Sequence, residues 1–208
     1  MRISRLWLDA DFCEGGLLTL PPEQSHYVRT VLRLRQGYSL TLFNGRGVEC
    51  SAEIQNLAKE SVGVLLGSPR IHDVESPLQL HLAVGISRGE RMDFVLQKAV
   101  ELGVHRISPL LTEHCVVHLS ESKVKQRHQH WTRIMVSACE QSGRNTLPKL
   151  DEVQTFPAWL ESFNSKGVIL DPQAKGTLST LCPPREEESI TFLSGPEGGF
   201  SEREREWA

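Results

Sequence analysis

No apolar stretch of this chain approaches the roughly 18 residues that a bilayer-spanning helix needs, so no membrane span is expected. The opening MRISRLWLDADF lacks the apolar core of a secretion signal because Asp9 and Asp11 interrupt it, and cytoplasmic residence is the expectation. The five cysteines (Cys13, Cys50, Cys115, Cys139 and Cys182) contain no CxxC pair, which argues against a disulfide framework or a zinc ribbon. The cluster His114-Cys115-Val116-Val117-His118 has no second ligand pair nearby, so no metal is expected. Neither GxxxxGK(S/T) nor GxGxxG occurs, which removes the usual phosphate- and dinucleotide-binding loops. With GxGxxG goes a dinucleotide-dependent oxidoreductase, which would also need an acidic partner about twenty residues further on.

A strong basic excess is also missing, since the net charge is -3, but the imbalance is local. Residues 1–72 and 73–185 are each net +1, and residues 186–208 are net -5, led by Glu186-Glu187-Glu188. The body is slightly basic, so local patches decide partners. At 208 residues with 39% hydrophobic and 24% charged, the composition is that of a folded chain of one large domain or two modest ones.

The texture changes near residue 73, where the boundary is placed. Before it, SLTLF (39–43), the turn Asn44-Gly45-Arg46-Gly47 and VECSAEI (48–54) form a hairpin pattern, and SVGVLL (61–66) is a further strand. PPEQSHYVRTVLRLR carries Tyr27, Val28, Val31 and Leu32 on one helical stripe. A small barrel or sandwich with one packed helix is expected over 1–72. After the boundary, strands LQLHLAVGI (78–86), HRISPLL, GVIL (167–170) and ITFLS (190–194) alternate with helical stretches over 90–103 and 121–141. That alternation predicts an α/β unit with a covered parallel sheet. On the first of these helices Met92, Val95, Ala99 and Leu102 share a face, with Gly103 as C-cap.

Chemistry is best sought at the strand ends. GPEGGF (195–200) runs from a strand into Ser201-Glu202-Arg203-Glu204, a capping-box sequence that opens a helix. Such a turn presents backbone N–H groups to a ligand, and glycines allow close approach. Glu197 inside the turn suits a neutral or cationic ligand rather than a phosphate. SRGER (87–91) follows the first strand of the α/β unit, and Arg88 there is placed to read a carbonyl or phosphate as readily as to stay solvated. Lys98 and Glu101, at i and i+3, form either a surface pair or part of a substrate cleft beside Arg144. Arg144 itself, in CEQSGR (139–144), projects from a helix terminus, where it also complements the helix dipole.

Taken together, SRGERMDFVLQKAVELGVHRISPL, TEHC, CEQSGRNTLP and LSGPEGGFS resemble, in order and spacing, the RsmE family of bacterial 16S rRNA (uridine-N3) methyltransferases of the SPOUT superfamily. HYVRTVLRLRQGYSLTLFNGRG is similar to that family's PUA-like domain, so the resemblance covers essentially the whole chain. It implies a small PUA-like RNA-binding β-barrel over 1–72 and a SPOUT α/β (trefoil-knot) methyltransferase domain over 73–208. It also implies a homodimer that uses S-adenosyl-L-methionine (SAM) and acts on 16S rRNA of the small ribosomal subunit. By position, Gly195, Pro196, Glu197, Gly198 and Gly199 form one wall of the cofactor pocket, and Leu170, Asp171 and Pro172 the other. Arg88, Lys98, Glu101, Glu140, Gln141 and Arg144 fall in motifs near the cofactor or the RNA.

Methylation at uridine N3 asks for a charge stabiliser, for which Arg144 and Arg88 are the candidates. It also asks for a group that accepts a proton or fixes an arginine, for which Glu101 and Glu197 are the candidates. Arg5, Arg29, Arg33 and Arg35, with Arg88 and Lys98, are the expected RNA contacts. The family commonly has Glu-Arg-Ser or Glu-Arg-Cys where this chain reads Glu113-His114-Cys115. The chain as given stops at Glu206-Trp207-Ala208, before the family's next strand and its Leu-x-x-Arg-x-Leu-Arg-x-Glu-Thr-Ala loop, which threads the knot. On that ground the 208-residue polypeptide is expected to bind SAM poorly. A non-catalytic dimeric RNA-binding adaptor of the same fold is the alternative function.

Overall fold

A computed structural model of the protein describes residues 3–58, 61–116, 121–174, 176–180 and 188–208. Cys182, His118, Glu186 and Glu187 lie outside the described residues. The chain divides into two compact units, one of residues 1–75 with 139–147, the other of residues 76–138 with 148–208. The sequence-based boundary lies near 73, and the inclusion of residues 139–147 in the first unit has no local signal.

The first unit is one sheet built by strict alternation. Strands β1 (Arg5–Trp7), β2 (Leu17–Thr19), β3 (Ser39–Phe43), β4 (Val48–Leu57) and β5 (Val62–Leu66) lie in the order β1-β3-β4-β5-β2, with β6 (Arg70–Ile71) also on β4. All pairs except β1–β3 are antiparallel. Every second residue, Leu40 and Leu42, Cys50, Ala52 and Ile54, then Val62, Val64 and Leu66, turns into a single core with Leu6, Leu8, Leu20 and Val28. The β3–β4 turn is held by Asn44, whose side-chain oxygen accepts the N–H groups of Arg46 (2.8 Å) and Val48 (3.2 Å).

The expected single helix over the PPEQSHYVRTVLRLR segment is shorter and broken. Helix α1 (Pro22–His26) passes into a π-helical turn at Tyr27–Val31, closed by the Leu32 N–H on the Tyr27 carbonyl. The wider turn rotates the stripe, so Val28 is fully buried while Val31 is exposed. Arg33 then takes a left-handed backbone (φ 52°) that ends the helix.

In the second unit every strand is parallel. Strands β7 (Gln79–Gly85), β8 (Arg106–Leu111), β9 (Lys149–Leu150), β10 (Gln154–Thr155), β11 (Gly167–Leu170) and β12 (Ser189–Ser194) follow in chain order. They lie as β10-β8-β7-β12-β11, with β9 also on β8. Helix α2 (Glu90–Glu101) follows β7, α3 (Glu121–Ser142) follows β8, α4 (Phe156–Ser162) follows β10 and α5 (Glu202–Trp207) follows β12.

The buried face of α2 is Met92, Leu96, Ala99 and Val100, an i, i+4, i+7, i+8 set. It is rotated from the expected one, leaving Leu102 exposed past the helix end. A second core gathers Ala83, Leu110, Phe156, Trp159, Leu193 and Phe200. Beside it runs a polar chain, buried at His81, Ser108, Thr191 and Asp151 and open to solvent at Arg106. Arg106 and Ser108 donate to Asp151 (2.7 and 2.5 Å), and His81 lies 2.7 Å from the Ser108 hydroxyl and 3.2 Å from that of Thr191. Because Ser108 spends its proton on Asp151, His81 donates to it from Nε2 and accepts from Thr191 at Nδ1, which fixes the neutral tautomer.

Among the described residues no helix is long and apolar enough to cross a membrane, and no group of three or more His, Cys, Asp or Glu is set to hold a metal. Cys13, Cys50, Cys115 and Cys139 form no disulfide, and burial pushes the Cys50 thiol up to about 11 and that of Cys139 to about 12.

Candidate active site at the strand ends

The carboxyl ends of β7, β12 and β11 are adjacent, and in an open parallel sheet this is where ligands enter. Past Ser194 the chain turns at once, with the Gly199 N–H donating to the Pro196 carbonyl (2.9 Å). Gly199 needs its glycine, since φ is 69°, and a Cβ there would meet nothing within 4 Å, so the turn faces open space. Close packing works on the other side. A Cβ on Gly85, the last residue of β7, would collide with the Pro196 ring. That open space is a cleft of ≈ 350 Å³ with residues 170–173 on one wall, 194–200 on the other, and Arg205 between.

Each end of the 195–200 turn is anchored. The Phe200 ring is buried against Phe156 at 5.6 Å between centroids. Ser201 and Glu204 close a reciprocal capping box on α5, the Glu204 N–H donating to Ser201 Oγ (3.1 Å) and the Ser201 N–H to Glu204 Oε2 (2.9 Å). The other oxygen of Glu204, which is 1% exposed, accepts the Glu113 N–H at 2.9 Å. The segment after β8 therefore backs the turn. His114 Nδ1 donates to the Gly198 carbonyl (3.0 Å), and a Cβ on Gly198 would press on the His114 side chain.

Glu197 points away from the turn to the β7–α2 loop, where it accepts the Arg88 N–H (3.2 Å) and lies 3.4 Å from Arg91 Nη1. Its own N–H and that of Arg88 hold its carboxyl below the ordinary glutamate pKa, with smaller help from the Arg91 charge and the Ser87 hydroxyl.

The residues singled out from sequence distribute unevenly. Leu170, Asp171, Pro172 and Gly195 to Gly199 all line the cleft. Arg88 is exposed and does not line the cleft; its backbone N–H is bonded to Glu197. Lys98 and Glu101 are a pair on the outer side of α2 (2.7 Å), with the ammonium over the Phe94 ring. Arg144 belongs to the first unit, where it is buried and ion-paired with Glu75. Arg5 is likewise committed, to Glu49 (2.8 Å), to Asn145 and to the face of Phe43. Arg33 and Arg35 are exposed and Arg29 is half-buried.

Glu49, only 3% exposed, gathers Arg5, Arg70, His72 and Asn145 around one carboxylate. Burial alone would raise its pKa, but the hydrogen bonds from Arg5, Arg70 and Asn145 and the charge of Arg5 bring it down to about 2. Sequence reasoning did not single out Arg205, Gln173, Phe200 or the contact from Glu204 to Glu113. Only the capping box hinted at them, since it fixes where α5 starts and so where Arg205 points.

Residues 74–208, well over half of the chain, match the model of the RNA methyltransferase domain, and residues 20–66 match that of the RNA methyltransferase PUA domain. The chain is 31% identical over 202 residues to the ribosomal RNA small subunit methyltransferase E of Buchnera aphidicola, covering 96% of this chain and 81% of the relative. It belongs to the ribosomal RNA small subunit methyltransferase E family.

The Bacillus subtilis member is 29% identical, with 93% of this chain and 78% of the relative covered. A Neisseria gonorrhoeae member crystallised with S-adenosyl methionine has a TM-score of 0.92 and 34% identity, covering 100% of this chain and 85% of that one. A Legionella pneumophila protein solved with bound cofactor SAM gives 0.94 and 38%, with the same coverage. The architecture expected of the family, a PUA-like unit followed by an α/β methyltransferase domain, is the one observed.

Proposed function

We propose that this protein transfers a methyl group from SAM to N3 of a uridine in 16S rRNA of the small ribosomal subunit, acting as a homodimer in the cytoplasm. The observation that carries the reading is the cleft between residues 170–173 and 194–200, in a chain of a methyltransferase family whose solved relatives hold SAM. The cleft fits such a molecule by its own properties. Its ≈ 350 Å³ lies within the range of small-molecule sites, which begins at about 300 Å³. Leu170, Pro172, Pro196 and Phe200 supply apolar surface for a base, and Asp171 supplies a carboxylate suited to a cation. Gly199 leaves the turn's surface open to close approach. When bound, SAM supplies an electrophilic methyl on a positively charged sulfur.

The chain's own groups must hold the uridine in line and stabilise the charge that spreads over O2 and O4 as the N3 proton leaves. Arg88 is assigned that task, because its side chain is exposed while its backbone N–H is fastened to Glu197 of the turn that lines the cleft. A carboxylate held below its ordinary pKa is a poor proton acceptor, so Glu197 serves to fix the loop that carries Arg88. Arg144, neutralised by Glu75, and the outward pair Lys98–Glu101 have the weaker claim on the reacting base. Arg29, Arg33 and Arg35 are assigned to phosphates of the RNA, and the target base is splayed or flipped to reach the cleft.

The test is methyl transfer from labelled SAM to small subunits lacking the modification, with the product nucleoside identified by mass spectrometry. Incorporation at N3 of one uridine is expected. Arg88→Ala should lower the rate at saturating SAM at least about tenfold while leaving SAM affinity within about twofold. Binding of subunits without methyl transfer would instead identify a non-catalytic adaptor.

A further inference from the structure

We propose that Arg205 is a positioning residue that sets the spacing between the two walls of the cleft and thereby the affinity for the methyl donor; the proposal rests on the cofactor reading above. A single guanidinium spans both walls. Its Nε and Nη2 donate to the Phe200 carbonyl (3.3 and 3.1 Å), at the trailing end of the glycine turn. Its Nη1 donates to the Gln173 side-chain oxygen (2.9 Å) and lies 3.7 Å from Asp171 Oδ2, both on the opposite wall.

The walls continue β11 and β12, which pair up to Leu170 and Ser194 and no further. Beyond that register the backbone ladder no longer sets their separation, and among the described residues the Arg205 side chain bonds to both. It is aimed there by the capping box, which fixes the first turn of α5 and brings the Arg205 N–H onto the Ser201 carbonyl (3.0 Å). The Phe200 ring is buried against Phe156, so the wall that carries the gripped carbonyl has its own anchor and the pull falls on Gln173 and Asp171.

Planarity matters here. The guanidinium presents donors in a fixed fork to two acceptors on one side and one on the other, whereas a lysine ammonium is a point charge that satisfies the Asp171 attraction alone. Arg205→Lys should therefore behave like Arg205→Ala rather than like the parent protein.

The experiment measures SAM affinity by calorimetry, steady-state kinetics, and hydrogen exchange without ligand of the Gln173 and Ala174 amides, which donate to Asp171 on the wall that Arg205 pulls on. It compares the intact protein with Arg205→Ala, Arg205→Lys and Gln173→Ala, and thermal melting controls for folding. The expected result is a Kd and a KM for SAM raised about tenfold in both Arg205 variants and severalfold in Gln173→Ala. The turnover at saturating SAM should stay within about twofold, and the Gln173 and Ala174 amides should exchange faster. Unchanged Kd and unchanged exchange in a folded Arg205→Ala overturn the proposal. So does a fall in turnover with affinity intact, or a lysine variant that retains parental affinity. Complete absence of SAM binding by the parent protein, as opposed to the weak binding expected from the sequence, overturns the cofactor reading itself, and is distinguished from the others because no substitution is involved.

Discussion

Glu49 sets up a stability test whose size and pH dependence both follow from its surroundings. Its carboxylate is 3% exposed, receives hydrogen bonds from Arg5, Arg70 and Asn145, and is held at about 2 against an ordinary 4.5. A drop of that size corresponds to about 3 kcal/mol of preference for the charged form in the folded protein. Because the folded pKa is depressed, this contribution is present in full above pH 4.5 and fades as the pH falls through 4.5 toward 2. Glu49→Gln preserves shape but strands the largely buried Arg5 charge, while Arg70 stays open to solvent, so the loss at pH 7 should be about 3 kcal/mol. Urea unfolding read from the amide resonances of Leu42 and Val64 reports the first unit directly. The parent should lose stability between pH 4.5 and 2 while the variant changes much less, the two converging near pH 2. A deficit under about 1 kcal/mol at pH 7, or one that persists undiminished at pH 2, would refute the assignment of the stabilisation to the ionised carboxylate.

Two further outcomes are expected in the second unit. His81 is driven down to about 4, chiefly by burial and then by the Arg106 charge against the opposing pull of Asp151, so its imidazole resonances should titrate near that value. With the folded value below the ordinary 6.5, the unit should lose about 3 kcal/mol as pH falls from 6.5 to 4, and a His81 titration near 6.5 by NMR would contradict the neutral hydrogen-bond chain. Gly85→Ala forces a methyl group into the Pro196 ring, so it should cost about 1–3 kcal/mol in melting experiments and weaken SAM binding by displacing the turn; full retention of affinity would show that the turn does not shape the cleft.

What was legible in the amino-acid pattern was local. The alternation in 39–43, 48–54 and 61–66 marks three strands because each has a single buried face. The glycine turn and capping box of 195–204 announce themselves through residues a few positions apart, and residues 195–200 line the cleft. Where the reading went astray, tertiary packing decided. Tyr27–Val31 tightens the core around Val28 by widening the helix, against the simple 3.6-residue stripe. The buried face of α2 includes Leu96 and Val100 rather than Val95 and Leu102, because the apolar residues are dense enough to permit two stripes. Arg144 and Arg5 read as available cations until Glu75, 69 positions away, and Glu49, 44 positions away, neutralise them. Arg205 was invisible for the mirror-image reason: its value lies in an amide 32 positions earlier.

The membership of residues 139–147 in the first unit bears on how the polypeptide is made. During synthesis the N-terminal sheet emerges early, yet Asn145 and Arg144, the partners of buried Glu49 and of Glu75, leave the ribosome some seventy residues or more afterwards. Until then Glu49 lacks part of its solvation shell, and the nascent sheet must wait for its last piece while α2, most of α3 and the strands β7 and β8 are already threading out. Cutting the gene at residue 75 would freeze that interim state, so a fragment made that way should be less stable than the same strands in the complete protein.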